Sequence, residues 1–490
     1  MPSYLTPDVY VENNDKLNLN IEAATGVAGF VGLAQRGPIN EAVRIRTWNQ
    51  YINTFAVGMD SPFVASADLA YAVYGFFQNG GSDCFVIRTA SDSAKKATAS
   101  PPDGAASTFT AMFEAADEGT WANTLTIKFS VNEDRAENFD MLVSLNGTDV
   151  EIIQNLSNDP DTDDYWIKRV NIESAYVRGL TGNIDSTTDV VTFSGGADGI
   201  TDIEDADFVS ALQAFQPYND TLAYIAVPGQ TSQRVATGIL NYCYDGSNIL
   251  PVIEAPKTAN TAAVKALRKV NENFTGALVW PWGYVTDPLS TAVAPNNVRA
   301  CPPSGHYMGV MSRTAEKRGV WKAPAGVEAE VKGFVSCLYD ITKDDTDILN
   351  PLGVVSIKAI TNYGICVWGA RSLNSLARQD HFRYVSDLLL DAYIKRQCYI
   401  VGLPYVFEGN RADTWQSIQA DTAAFMDRLR MKGAFKSDVV EEAYYVKCDA
   451  DLNADHVAKN DGILEVEVGY AGVKPAEFIV FKISHTISTT

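Results

Sequence analysis

Hydrophobic positions change their period several times along the chain. Residues 25–33, TGVAGFVGL, are small and apolar without a break, which predicts a buried strand closed by the Gly37-Pro38 turn. TWNQYINTF opens with Thr47, a hydroxyl able to cap a short helix, and residues 67–77, ADLAYAVYGFF, repeat apolar side chains at helical spacing. Asn79, Gly80 and Gly81 end that helix before CFVIR, a strand at residues 84–88. Residues 25–95 therefore read as the first part of an α/β core.

Composition shifts to Ser, Thr, Asp, Asn and Gly over residues 96–200, with short alternating runs such as LTIKFSV, FDMLVSL, DVEIIQNL and DVVTFSGG. That is the pattern of an inserted β-rich domain. Helical and strand-like segments alternate again over residues 201–350 (DFVSALQAF, LAYIAVPG, ILPVIEAP, AAVKALRKV, GALVWPWGYV), which predicts a mostly parallel, helix-covered sheet. A C-terminal α+β domain is expected over residues 351–473. It starts with strands GVVSIKAI and ICVWGA and continues with helices FRYVSDLLLDAYIKRQC and TWQSIQADTAAFMDRLRMKG. Asp413 is the expected N-cap of the second helix and Gly433 its C′ stop. Strands EEAYYVKCD, GILEVEVGY and EFIVFKI close the chain. The fold class is thus multidomain α/β and α+β, with no internal repeat.

Both ends carry strand-like sequence where termini ordinarily fray. Val9, Tyr10 and Val11 follow Pro7, and the polar stretch ENNDKLNLN makes residues 1–24 a strand on a tether. In residues 474–490, Phe478, Ile479, Val480, Phe481 and Ile483 form a run apolar on both faces. Such strands need a partner. Either both complete the sheet of their own subunit, or they are arms donated to the sheet edge of a neighbouring copy through main-chain hydrogen bonds. Head-to-tail donation that does not close into a ring builds a helical filament.

The chain has 490 residues, a length that suggests about three domains. With 46% hydrophobic and 20% charged residues it has an ordinary globular composition. A net charge of −21 argues against a surface that wraps phosphate backbones, so no nucleic-acid partner is expected. The seven cysteines are scattered without a CxxC pair and read as buried thiols in a reducing compartment. The start lacks the basic and apolar regions of a secretory signal, and no stretch has the length of a membrane span, so no membrane insertion is expected.

Candidate chemistry is thin. The four histidines, His306, His381, His456 and His485, sit in unrelated contexts. Ser304-Gly305-His306 near Cys301 lacks a GxSxG elbow, and no strand-turn-helix frame is expected around it. Asp380-His381 is placed at a helix start and Asp455-His456 in a polar loop. Gly26, Gly29 and Gly32 lie inside a strand-like run rather than after one, which indicates close backbone packing and not a dinucleotide loop. The acidic stretch KDDTDILN lacks the spacing of a calcium loop and reads as a solvated turn. No catalytic, cofactor-binding or metal-ligating residue is assigned, and no enzymatic activity is expected.

At the level of whole motifs the chain resembles the contractile tail sheath proteins of bacteriophages and phage-tail-like injection particles. YLTPDVYVE, VAGFVGLAQRGPINEAVRI and GFFQNGGSDCFVIR are similar to that family's opening segments, and GTWANTLTI to its Gly-x-Trp-x-Asn element. PPSGHYMGVMSRTAEKRGVWKAPAG resembles its signature segment. LNPLGVVSIKAI, GICVWGARSL, FEGNRADTW and GILEVEVGYAGVKPAEFIVFKISH continue the likeness in order. One departure is Ser386-Asp387-Leu388, where many relatives carry a pair of arginines.

The resemblance implies a structural subunit that polymerises into a helical cylinder around an inner tail tube through exchanged terminal arms. Baseplate and tail terminator proteins are the further partners it implies. Its place would be a virion tail or phage-tail-like particle put together in the bacterial host cytoplasm. It implies that residues 96–200 face outward and that the C-terminal domain contacts the tube. The helix bearing Asp421, Asp427, Arg428, Arg430 and Lys432 is then a candidate tube-facing element, and Asn13 to Asn20 and the Gly472 to Pro475 corner are candidate hinges. A non-contractile self-assembling shell protein and a cytoplasmic α/β enzyme are the alternative readings.

Overall fold

The computed structural model describes residues 25–99, 109–185, 190–244, 248–271, 274–294, 296–376, 382–459 and 462–479. The first part contains β1 (Ala28–Gly32), β2 (Ala42–Ile45), α1 (Trp48–Phe55), α2 (Leu69–Gln78) and β3 (Cys84–Arg88). Thr47 caps α1, its hydroxyl accepting from the Gln50 N–H at 3.2 Å. Strand β1 is buried along its whole length, and a Cβ on Gly29 would lie 3.0 Å from both Ile225 and Phe215. Close packing is the reason for the glycines in that run.

The insertion contains β4 (Lys96–Ala99), β5 (Met112–Glu118), β6 (Leu125–Val131), β7 (Phe139–Leu145), β8 (Thr148–Leu156), α3 (Trp166–Glu173), β9 (Val177–Thr181) and β10 (Val190–Thr192). Strands β4, β5 and β9 form one sheet and β10, β6, β7 and β8 another. Along β7 every second side chain is buried, the period-2 signature of one face on a core. Phe113, Ile127, Phe129, Met141, Val143 and Trp166 belong to a hydrophobic cluster separate from those of the main body. Helix α3 is not apparent in the sequence, because WIKRVNIE offers only Trp166 and Val170 as buried positions.

The chain then returns through α4 (Asp205–Ala211), β11 (Tyr224–Ala226), α5 (Gln233–Tyr244), β12 (Leu250–Glu254), α6 (Thr261–Val270), β13 (Ala277–Trp280), β14 (Gly283–Thr286), β15 (Val298–Cys301), α7 (Ser304–Arg318), β16 (Phe334–Cys337), α8 (Lys343–Leu349), β17 (Val354–Ile360) and β18 (Gly364–Val367). One eight-stranded sheet has the order β18-β17-β13-β12-β11-β1-β3-β2, parallel except for its two edge strands. Strands β17 and β18 complete this sheet, so the core runs past the expected boundary at residue 350. GVVSIKAI reads as a buried strand, but nothing local says whose neighbour it is.

Two further sequence expectations change. KDDTDILN is helix α8 rather than a turn, with Thr342 and Asp345 forming a reciprocal capping box. In the C-terminal part α9 (Val385–Gly402), α10 (Ala412–Met431), α11 (Val440–Ala443), β19 (Tyr444–Lys447), α12 (Ala450–Lys459) and β20 (Glu467–Tyr470) follow. Asp455-His456 thus lies in helix α12, not in a loop. Arg411, not Asp413, occupies the N-cap of α10; Asp413 sits in its first turn. Gly433 does stop α10: at φ +80° its N–H reaches Arg430 O, and Ala434 N–H reaches Leu429 O, a Schellman closure.

Candidate functional site

Strands β19 and β20 form a two-stranded antiparallel sheet in register Tyr444↔Tyr470 and Val446↔Val468. Among the described residues no third strand joins either edge. Two strands alone are marginal in water, so this pair depends on what lies beneath it. Phe435 packs against both Tyr444 and Tyr470, with ring centroids 5.9 and 6.0 Å apart. Tyr470 donates to Asp391 of α9 at 3.0 Å, and Gln419 of α10 donates to Val446 O at 3.0 Å. Fully buried Asn453 ties the returning loop, bonding Glu465 through both its amide groups. The result is a sheet fixed from below that, among the described residues, stops at two strands.

Past β20 the chain stays fastened to the body, beginning with Ala471, whose N–H donates to Ala443 O and whose carbonyl accepts from Lys436 N–H, both at 2.8 Å. Gly472 bridges Phe435, and Val473 N–H donates to Ala434 O at 3.0 Å. Lys474 lies 3.6 Å from Asp387, whose carboxyl burial raises to about 6 against the pull of that lysine. Arg371 then grips Glu477 through Nε and Nη2, at 3.0 and 2.5 Å, with both side chains at most 15% exposed. Immediately beyond, Phe478 and Ile479 are 74% and 76% exposed and belong to no strand. Val480, Phe481 and Ile483, with Val9, Tyr10 and Val11 at the other end, lie outside the described residues, as does the Asn13 to Asn20 tether.

The charged face of α10 is partly committed within the subunit. Arg430 pairs with Asp427 at 2.8 Å and donates to Asp438 O at 2.7 Å; the Arg428 guanidinium lies 6.0 Å from the Phe425 ring. Asp421 accepts from Tyr405 at 2.5 Å, and Asp421 and Lys432 are exposed. Ile418, Phe425 and Leu429 face inward as expected, whereas Trp415 is only half-buried, its Nε1 donating to Asn410 at 2.6 Å.

The Ser304-Gly305-His306 segment does follow a strand-turn-helix path, β15 into α7, contrary to the sequence expectation. The strand belongs to a small antiparallel sheet, a pairing the local sequence does not encode. Ser304 is fully buried, and burial lowers His306 to about 3, so its ring is neutral and packs on Phe334 at 4.5 Å. A Cβ on Gly305 would sit 2.2 Å from Ala72 O, and one on Gly75 2.3 Å from the His306 ring. The segment that resembles the signature is thus the seam between α2 and α7. Near it, buried Glu254 accepts from the Ser304 and Gly229 N–H groups at 2.8 and 3.0 Å. Desolvation carries its carboxyl to about 7 despite those donors. Among the described residues no group of three His, Cys, Asp or Glu side chains is placed to hold a metal ion, and no helix is long and apolar enough to cross a membrane.

Sequence reading misses the residues that join the parts. Arg36, 2% exposed, donates to Asp117, Val57 O and Ala175 O and stacks 4.0 Å from the Trp121 ring, locking the insertion to the core. Within the insertion itself, Asn123 of the Gly-x-Trp-x-Asn element makes a reciprocal pair of bonds with Gly196. Arg396 of α9 donates to Leu222 O and Asn248 O of the core, both at 2.9 Å. No residue spacing announces these, since every partner is far away along the chain.

No protein-family model and no curated protein matches the chain. Solved structures do. The chain is similar to a protein of the anti-feeding prophage helical sheath in its contracted state, at 20% identity and TM-score 0.58, over 98% of this chain and 99% of that one. It is similar to a protein of the PVC sheath complex of an extracellular contractile injection system, also contracted, at 18% identity and TM-score 0.59, over 99% of each. A sheath tail protein from Listeria innocua matches at 14% identity and TM-score 0.65, over 88% and 90%. The chain has the fold of contractile tail sheath proteins.

Proposed function

We propose that this chain is the repeating subunit of a contractile tail sheath, polymerising into a helical cylinder around an inner tail tube. One observation carries the reading: the likeness to sheath subunits of contracted particles spans essentially both chains, insertion and C-terminal part included. The two-stranded sheet supports it, because among the described residues neither edge is joined by a third strand, and an extended strand could add there through main-chain hydrogen bonds. The exposed apolar pair Phe478 and Ile479, which lies outside any strand, supports it too. In this reading Val9, Tyr10 and Val11 from one neighbour and Phe478, Ile479, Val480, Phe481 and Ile483 from another add strands to β19 and β20. The tube faces α10, with Asp421, Asp427, Arg428, Arg430 and Lys432 as the charged contacts. Baseplate and terminator proteins cap the cylinder's ends, the finished sheath belongs to a tail or tail-like particle, and assembly takes place in the bacterial cytoplasm.

Contraction in such a lattice is rigid-body repacking between subunits, because close-packed cores resist internal deformation. The free energy is stored at assembly, so no nucleotide is consumed.

The test is electron microscopy of the purified chain and of two truncations, one lacking residues 1–20 and one ending before Pro475. Hollow helical cylinders are expected from the intact chain, and folded but unassembled subunits from both truncations. Normal long cylinders from the truncations would end the strand-exchange reading.

A further inference from the structure

The Gly472 to Pro475 corner carries the turn residues that suggest a hinge, yet it is fastened to the body through Phe435, Ala434 and Asp387. The last fastening before the exposed residues is Glu477. Its partner Arg371 is 106 positions away and is itself held rigidly. Arg371 bridges Tyr384, Ser372 N–H donates to Arg383 O at 2.8 Å, and Val385 N–H donates to Ala370 O at 2.9 Å. This short antiparallel contact sits between the end of β18 and the start of α9, so the guanidinium is presented from the seam of core and C-terminal helices. Tyr384, 8% exposed, adds a side-chain hydrogen bond to Glu477.

We propose that the Arg371–Glu477 pair is the post from which the C-terminal arm leaves the subunit, fixing the direction and register in which Phe478 and the residues after it meet a neighbouring copy. The inference rests on the strand-exchange reading and adds to it a positioning device. A two-pronged guanidinium–carboxylate contact specifies orientation as well as attraction, unlike a point-charge contact. Its shielding from solvent keeps it effective at physiological salt. Everything up to residue 477 moves with the body, and the pivot lies at the Glu477–Phe478 junction rather than at the corner.

The test compares full-length wild type with Glu477→Gln, Arg371→Lys and the reversed pair Arg371→Glu/Glu477→Arg. Circular dichroism and thermal melting report the fold; the pelletable fraction and electron micrographs report assembly. The expected result is a fold-retaining loss of assembly, at least tenfold, in each single variant, with the reversed pair restoring cylinders. A purely structural contact would not give assembly loss without a change in melting. Should Glu477→Gln not fold, Arg371→Lys, which keeps the charge and loses the fork, decides the matter. Folded single variants that assemble as well as or faster than wild type overturn the proposal, and so does a reversed pair that folds but stays unassembled. Cylinders from the chain ending before Pro475 would instead overturn the strand-exchange reading itself.

Discussion

At the scale of single residues, chemistry is legible where it is local and illegible where it is long-range. The Thr47 cap and the Gly433 stop are written in their own few neighbours. Glu254 is different. Nothing in ILPVIEAP says that this carboxylate ends a strand of the central sheet beneath the first turn of α7, 50 positions onward. Its pKa, raised from 4.5 to about 7, has a consequence for stability. The folded state holds a proton that the unfolded chain has already released between those values, so stability falls as pH rises through that window. The full shift amounts to about 3 kcal/mol. Glu254→Gln removes the titrating group and keeps its shape. Denaturant unfolding of the variant should show a flatter dependence than wild type between pH 4.5 and 7. Parallel curves would mean that the carboxylate ionises freely in its pocket.

At the scale of elements, apolar period identifies most strands and helices, and fails where polar residues build the element. Helix α8 is made of KDDTDIL and owes its start to a capping box rather than an apolar stripe. The pairing of β17 with β13 escapes local reading for a second reason: a strand buried on both faces looks the same in any sheet. Between α2 and α7 the sequence shows glycines but not their purpose. Ala72 O stands 2.2 Å from where a Gly305 Cβ would be, and a backbone oxygen cannot rotate away. Gly305→Ala should therefore force the two helices apart and cost about 2 kcal/mol or more. A lowered denaturation midpoint with unchanged slope checks this. An unchanged midpoint would mean that the seam yields without loss.

At the scale of the whole molecule, the β-rich insertion behaves as a separate unit on a narrow base. Ser91 N–H bonds Gly199 O at 2.9 Å, so the chain enters and leaves at one place, while a separate hydrophobic cluster fills the interior. A fragment covering residues 93–199 should fold alone with a cooperative thermal transition, and the remaining chain, closed by a short Gly/Ser linker, should retain its helical circular dichroism. A fragment without a cooperative transition would make the Arg36 contact a requirement for folding rather than a lock between finished parts. That the insertion is β-rich is legible from its alternating runs; how it is bolted to the core is not, since Arg36 looks like any loop arginine. The same distinction applies at the other end of the chain. Arg371 stands four residues beyond β18, the edge strand of the largest sheet. A tug on residue 478 is therefore not borne by the small β19–β20 sheet alone. It crosses one guanidinium, loading its N–H···O contacts together, and runs into the eight-stranded sheet, so that neighbours joined by their tails would be coupled frame to frame.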